Sequence, residues 1–147
     1  MQSSILMAPH LQQQNWVSES GAASVEQALQ IMRRHVPAHR LLVRDRSVTG
    51  LAASKSGFDV GFESSGAGCI VFLDGWHDEF ANPDQGLRLI QQALTGDLRL
   101  KVEAISGRPW MWTVERLGPG DTWAVVHAGG LFRWKLGRTV DCRYLRN

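Results

Sequence analysis

The sequence predicts one α+β domain in which two helices pack on a mostly antiparallel, meander-type twisted sheet of about seven to nine strands. Three observations predict it. Two segments repeat apolar residues at helical spacing between recognisable start and stop signals. Many short segments alternate apolar and polar residues, or run apolar, as strands do. The turns between the later segments are too short for crossovers, so those strands must be antiparallel neighbours. With 147 residues, such a domain buries roughly 70% of the surface its unfolded chain exposes and needs no disulfide or metal to hold it. Residues 16–147 are assigned to the domain. Residues 1–15 read as a flexible, Gln-bearing leader that lacks the basic start and apolar core of a signal peptide.

The first helix is expected over residues 24–36. Ser24 and Gln27 form a capping box, Val25, Ala28, Leu29, Met32 and Val36 make an apolar stripe, and Pro37 stops it. Short strands follow at 41–43 and 48–53. Phe58, Val60 and Phe62 then alternate with Asp59, Gly61 and Glu63, and residues 68–73 form a continuous apolar run expected to be the most buried strand. The second helix has Asn82 as cap, Pro83 at its first position, Leu87, Ile90 and Leu94 on one face, and Gly96 to close it. Strands are expected at 97–105, 110–116, 122–127, 131–135 and 139–145. For the first hairpin of this series, facing Leu98, Leu100, Val102 and Ala104 to the core requires Ala104 opposite Trp110. That register sets Arg99 opposite Glu115 and leaves a three-residue loop centred on Gly107.

Charge is small overall, +2, but uneven. Residues 131–147 hold Arg133, Lys135, Arg138, Arg143 and Arg146 against Asp141, while residues 74–84 hold Asp74, Asp78, Glu79 and Asp84 with no basic residue. No apolar run approaches the roughly 20 residues of a membrane-spanning helix, so no membrane role is expected. Cys69 and Cys142 form no CxxC and have no ligand-spaced His or Cys, which points to a reducing, cytoplasmic setting without zinc. No cofactor or metal is expected.

The stretch Asp74-Gly75-Trp76-His77-Asp78-Glu79-Phe80 reads as an acidic loop between an apolar strand and the second helix. Carboxylates beside an imidazole can hold a divalent ion or share acid and base duties, which makes His77, Asp74, Asp78 and Glu79 the catalytic candidates. The bland reading is turn chemistry followed by acidic residues that favour a helix N-terminus. Trp76, Trp110, Trp112, Trp123 and His127 are the candidate ligand-binding set, since aromatic residues on a curved sheet line either a core or a cleft. Arg133, Trp134, Lys135, Arg138 and Arg143 interleave bases with aromatics, as single-stranded nucleic-acid binders do, although an edge strand with one solvated face gives the same text. Ser64-Ser65-Gly66-Ala67-Gly68 precedes a strand rather than a helix and is a turn, not a phosphate loop. Cys69, inside an apolar run, is expected to be buried and inert.

These features favour a non-catalytic binding or interaction module that recognises a protein or small ligand through a Trp-rich sheet face and the acidic loop. A metal-assisted, hydrolase-like enzyme built on residues 74–79 is the alternative, and nucleic-acid binding by the basic C-terminal strands stands third.

Overall fold

Two-residue turns set the topology. Asp45-Arg46, Asp74-Gly75 and Ser106-Gly107 each fold a strand straight back on its predecessor. Asp74, Ser106 and Gly107 have positive φ (55°, 51° and 74°), which suits the twist of paired strands. The computed structural model describes residues 13–130 and 139–147, with side chains from residue 21 onward. Among these residues lie helices α1 (Gln13–Arg33) and α2 (Pro83–Leu94) and strands β1 (Leu41–Arg44), β2 (Ser47–Gly50), β3 (Val60–Ser64), β4 (Cys69–Leu73), β5 (Trp76–Phe80), β6 (Leu98–Ile105), β7 (Arg108–Leu117), β8 (Trp123–Gly130) and β9 (Val140–Leu145).

The α+β class and antiparallel pairing are those predicted, but the strands form two sheets rather than one. The first has the order β1-β2-β3-β4-β5 and the second β8-β7-β6-β9. Helix α2 divides them, because no ladder joins β5 to β6. The β9 strand pairs with β6, so the second sheet is not a simple meander. The strand expected at 131–135 lies outside the described residues.

Helix α1 is already formed at Gln13, the first described residue, so Ser24 falls inside the helix and not at its start. Packing overrides the cap signal here. A Cβ at Gly21 would overlap the Ser64 hydroxyl, so this turn of α1 is held closely against β3 by a residue that alone permits the approach. The helix does end before Pro37, with Val36 N–H donating to Met32 O at 2.8 Å. Helix α2 follows its sequence signals throughout: Asn82 Oδ1 accepts from Asp84 N–H at 3.0 Å, Pro83 opens the helix, and Gly96 takes φ 79° after it. Its buried face is Gly86, Leu87, Leu89, Ile90 and Ala93. A Cβ at Gly86 would overlap Cys69 Sγ, which explains a glycine in mid-helix.

Val48, Val60, Phe62, Cys69, Val71 and Leu73 from the first sheet, with Phe58 just before β3, join Leu98, Leu100, Val102, Val114 and Leu145 from the second in one core cluster with α1 and α2. The apolar run of β4 is buried on one face only; Ile70 and Phe72 point to the other side and are half-buried.

In the β6–β7 hairpin, Arg99↔Glu115, Leu100↔Val114 and Val102↔Trp112 pair as predicted. Beyond Glu103↔Met111 the ladder slips to Ala104↔Pro109, leaving Trp110 as the extra residue of a β-bulge. The predicted Ala104–Trp110 pair and three-residue loop are thereby replaced by a bulge and a tighter turn.

Residues beyond β9 fasten the two halves together. The Asn147 side chain accepts from Phe58 N–H (3.0 Å) and donates to Phe58 O (3.1 Å), while Arg146 donates from its backbone to Ser56 O and from Nε to Gly96 O (2.8 Å each). Asn147→Ala leaves the Phe58 N–H and C=O unserved and is expected to cost about 1 kcal/mol in urea unfolding. An unchanged midpoint would mean that water replaces the amide freely.

Candidate functional site

The two sheets meet where the β4–β5 hairpin of the first touches β7 and β8 of the second. The join is made by two reciprocal tryptophan–glycine contacts. Trp112 of β7 lies against Gly75, where any Cβ would overlap its indole, and its Nε1 donates to Asp74 Oδ2 at 3.3 Å. Trp76 of β5, only 4% exposed, lies in turn against Gly129, the register partner of Trp112.

The acidic stretch is therefore a turn and a strand, not a loop. Asp74-Gly75 favours a positive-φ hairpin turn, and the strand that follows pairs with β4 over its whole length. Strand alternation then separates the predicted catalytic set. Trp76, Asp78 and Phe80 pair with Leu73, Val71 and Cys69 and share their face, whereas His77 and Glu79 pair with Phe72 and Ile70 on the opposite face. His77 stacks at 5.7 Å on Phe72 there. Asp74 remains at the turn. Among the described residues, no group of three or more His, Cys, Asp or Glu is placed to hold a metal ion.

What the structure brings to Asp78 is His127. Simple alternation would put His127 on the face of Trp123 and Val125. Instead the register jumps from Glu115↔Val125 to Val114↔His127, with Val126 as the extra residue. This bulge turns His127 onto the inner face, where Nδ1 stands 3.8 Å from Asp78 Oδ2. The imidazole is held between Trp76 (centroids 5.4 Å) and the edge of Phe80 (6.0 Å, 84°). The other carboxylate oxygen, Asp78 Oδ1, accepts from Glu79 N–H at 2.9 Å, which leaves Oδ2 to face the imidazole. The His127 side chain is 29% exposed and that of Asp78 51%, which leaves the pair open to solvent at the rim of the joint. Geometrically, Asp78 faces one imidazole nitrogen and leaves Nε2 for other partners.

The predicted tryptophans do not form one surface. Trp76 and Trp112 build the joint, Trp110 is half-buried in its bulge, and Trp123 belongs to the opposite face of the second sheet. There Arg99 pairs with Glu115, itself buried on that face, and its guanidinium lies 4.4 Å from the Trp123 ring and 4.2 Å from the Tyr144 ring. An aromatic sandwich thus shields an ion pair that the sequence shows only as opposed charges. Of the predicted nucleic-acid set, Arg143 is exposed on β9, whereas Arg133, Trp134, Lys135 and Arg138 lie outside the described residues. Cys69 and Cys142 are free thiols. Cys69 is fully buried under α2, and burial pushes its thiol up to about 11, which keeps it protonated and inert at neutral pH.

Sequence reasoning found Asp78 and His127 singly but not as a pair, since only the unsignalled bulge at Val126 brings them together. Comparison with known protein families, with curated proteins and with solved structures finds no match. No helix among the described residues is long and apolar enough to cross a membrane.

Proposed function

We propose that this chain is a non-catalytic binding module whose recognition surface is the rim of the joint between its sheets, centred on Asp78 and His127. The observation that supports this reading most is their contact: two polar side chains from different sheets, partly exposed, held in position by packed aromatic rings on strands rather than on loops. Rigid elements that present a few polar groups beside apolar surface are what recognition requires. Asp74, Asp78, Glu79 and Asp84 are all exposed, with no basic residue between positions 74 and 84, so the partner is a protein segment or small ligand carrying a cationic or donor group. The two free cysteines are in keeping with a cytoplasmic setting.

The test is a titration with a lysine- and arginine-containing peptide, followed through the ring resonances of His127. Saturable shifts that vanish in Asp78→Asn are expected. Ring resonances unmoved at millimolar peptide would remove the reading.

One observation favours an enzyme as the second reading. A carboxylate facing Nδ1 is the arrangement that orients a histidine to act as a base through Nε2. In the metal-assisted form of this reading, residues 74–79 would have to collect an ion. The thermal midpoint in EDTA is expected to stay within about 1 °C when Mg²⁺, Mn²⁺ or Zn²⁺ is added, because a site filled at about 100 times its dissociation constant would give about 2.7 kcal/mol and several degrees. A rise of that size, lost in the Asp74→Asn/His77→Ala variant, would put the enzyme first.

A further inference from the structure

The edge of the first sheet farthest from the joint combines three features. First, β1 pairs only with β2 among the described residues. Its two-residue turn closes on Arg44↔Ser47, so ladder alternation places the bonded pairs at Arg44–Ser47 and Leu42–Thr49. The Val43 N–H and C=O and the Leu41 C=O consequently face outward; the Leu41 N–H is taken by Ala38 O. Second, Leu42 and Val43 are 47% and 55% exposed, two of the most exposed large apolar side chains in the described structure, one on each face of β1. Third, residues 33–46 carry five arginines against the one carboxylate of Asp45, and among the described residues none of the five is in an ion pair. Arg40 lies at one end of β1, and Arg44 and Arg46 at the other.

An exposed apolar edge strand is a pairing template that folded proteins ordinarily blunt or cover. Charge decides what covers this one. A second copy pairing antiparallel about a twofold axis at Val43 would set Arg40 against Arg46 and Leu42 against Arg44, concentrating like charge. Nucleic acid would meet the arginines, but residues 33–46 contain no Phe, Tyr or Trp on which a base could stack. An extended acidic peptide satisfies all three features at once. We propose that β1 is a docking edge for an extended acidic segment of a partner protein. The segment adds as a further strand beside β1, bonds the Val43 N–H and C=O, covers Val43 with its apolar side chains on one face, and on the face of Leu42 lays carboxylates against Arg40 and Arg44 and towards Arg46 in the turn.

Fluorescence anisotropy with a short labelled peptide of alternating glutamate and valine tests this, alongside a peptide of matched charge with proline at the valine positions and an oligothymidylate. The alternating peptide is expected to bind with Kd below about 1 mM and to weaken with salt, while the proline peptide, unable to pair as a strand, binds at least about tenfold more weakly. Val43→Pro removes the outward donor without touching the β1–β2 ladder and is expected to lower affinity about tenfold or more. Arg44→Glu/Arg46→Glu should do the same with the edge intact, and decides the matter if the proline variant does not fold. Equal binding of the proline peptide, preference for oligothymidylate, a concentration-dependent dimer that excludes the peptide, or no binding to the unmodified protein would each overturn the proposal.

Discussion

Trp76→Ala is expected to destabilise the protein by about 3–5 kcal/mol, the range for deleting a fully packed aromatic side chain, and at the same time to release His127 from Asp78. Both effects have one origin. The indole is 4% exposed and touches the core on one side, Gly129 on another and the His127 ring on a third. Its loss opens a cavity between the sheets and removes one wall of the imidazole's seat. Urea unfolding gives the first quantity, and the His127 ring resonances, compared with those of Asp78→Asn, give the second. A loss below about 1 kcal/mol with an unmoved imidazole would show that the joint is held by Trp112 and the surrounding core instead.

Gly86→Ala should also destabilise, against the helix-propensity rule. In an exposed helix the exchange gains up to about 1 kcal/mol. Here the new methyl would overlap the Sγ of Cys69, which is fully buried in β4, and would press towards Val71 and Phe62 as well. Overpacking of this kind costs about 1–3 kcal/mol, so α2 must lift from the sheet or the cysteine must turn. The second substitution Cys69→Ala removes the obstacle. The double variant is expected to recover most of the loss, with a coupling of about 1–2 kcal/mol in a double-mutant cycle. Additive losses would place the strain elsewhere on the helix.

The elements that were legible in the sequence are those whose signals are local. Helix α2 carries a cap, an N-terminal proline and a closing glycine within its own residues, and each does in the structure what its chemistry suggests. The Arg99–Glu115 pairing was legible because charge and hydrophobic pattern agreed on one register. The early start of α1 was not, because Gly21 is explained only by its contact with a strand more than 40 residues later in the chain. Strand β5 was hidden for a related reason: Trp76-His77-Asp78-Glu79-Phe80 has three consecutive exposed polar residues, since its outer face is solvated and Asp78 sits at the open rim, so alternation is weak. The division into two sheets depends on which strand edges meet, and no single segment records that. The candidate site shares this character. Its residues were each visible, but their grouping depended on the bulge at Val126, which leaves no compositional trace.

The bulge at Val126 means that the identity of the site is a matter of counting as well as of chemistry. Along a strand, position modulo two selects the face, and one inserted residue exchanges the two faces for everything downstream. A β8 that kept all its residues but paired Val126 with Val114 in a regular ladder would still carry every functional group beside Trp76, Asp78 and Phe80, yet it would send the His127 imidazole to the side of Trp123. In this fold the spacing of residues is itself inherited information, and two sequences alike in composition around β8 can differ in whether a site exists at all.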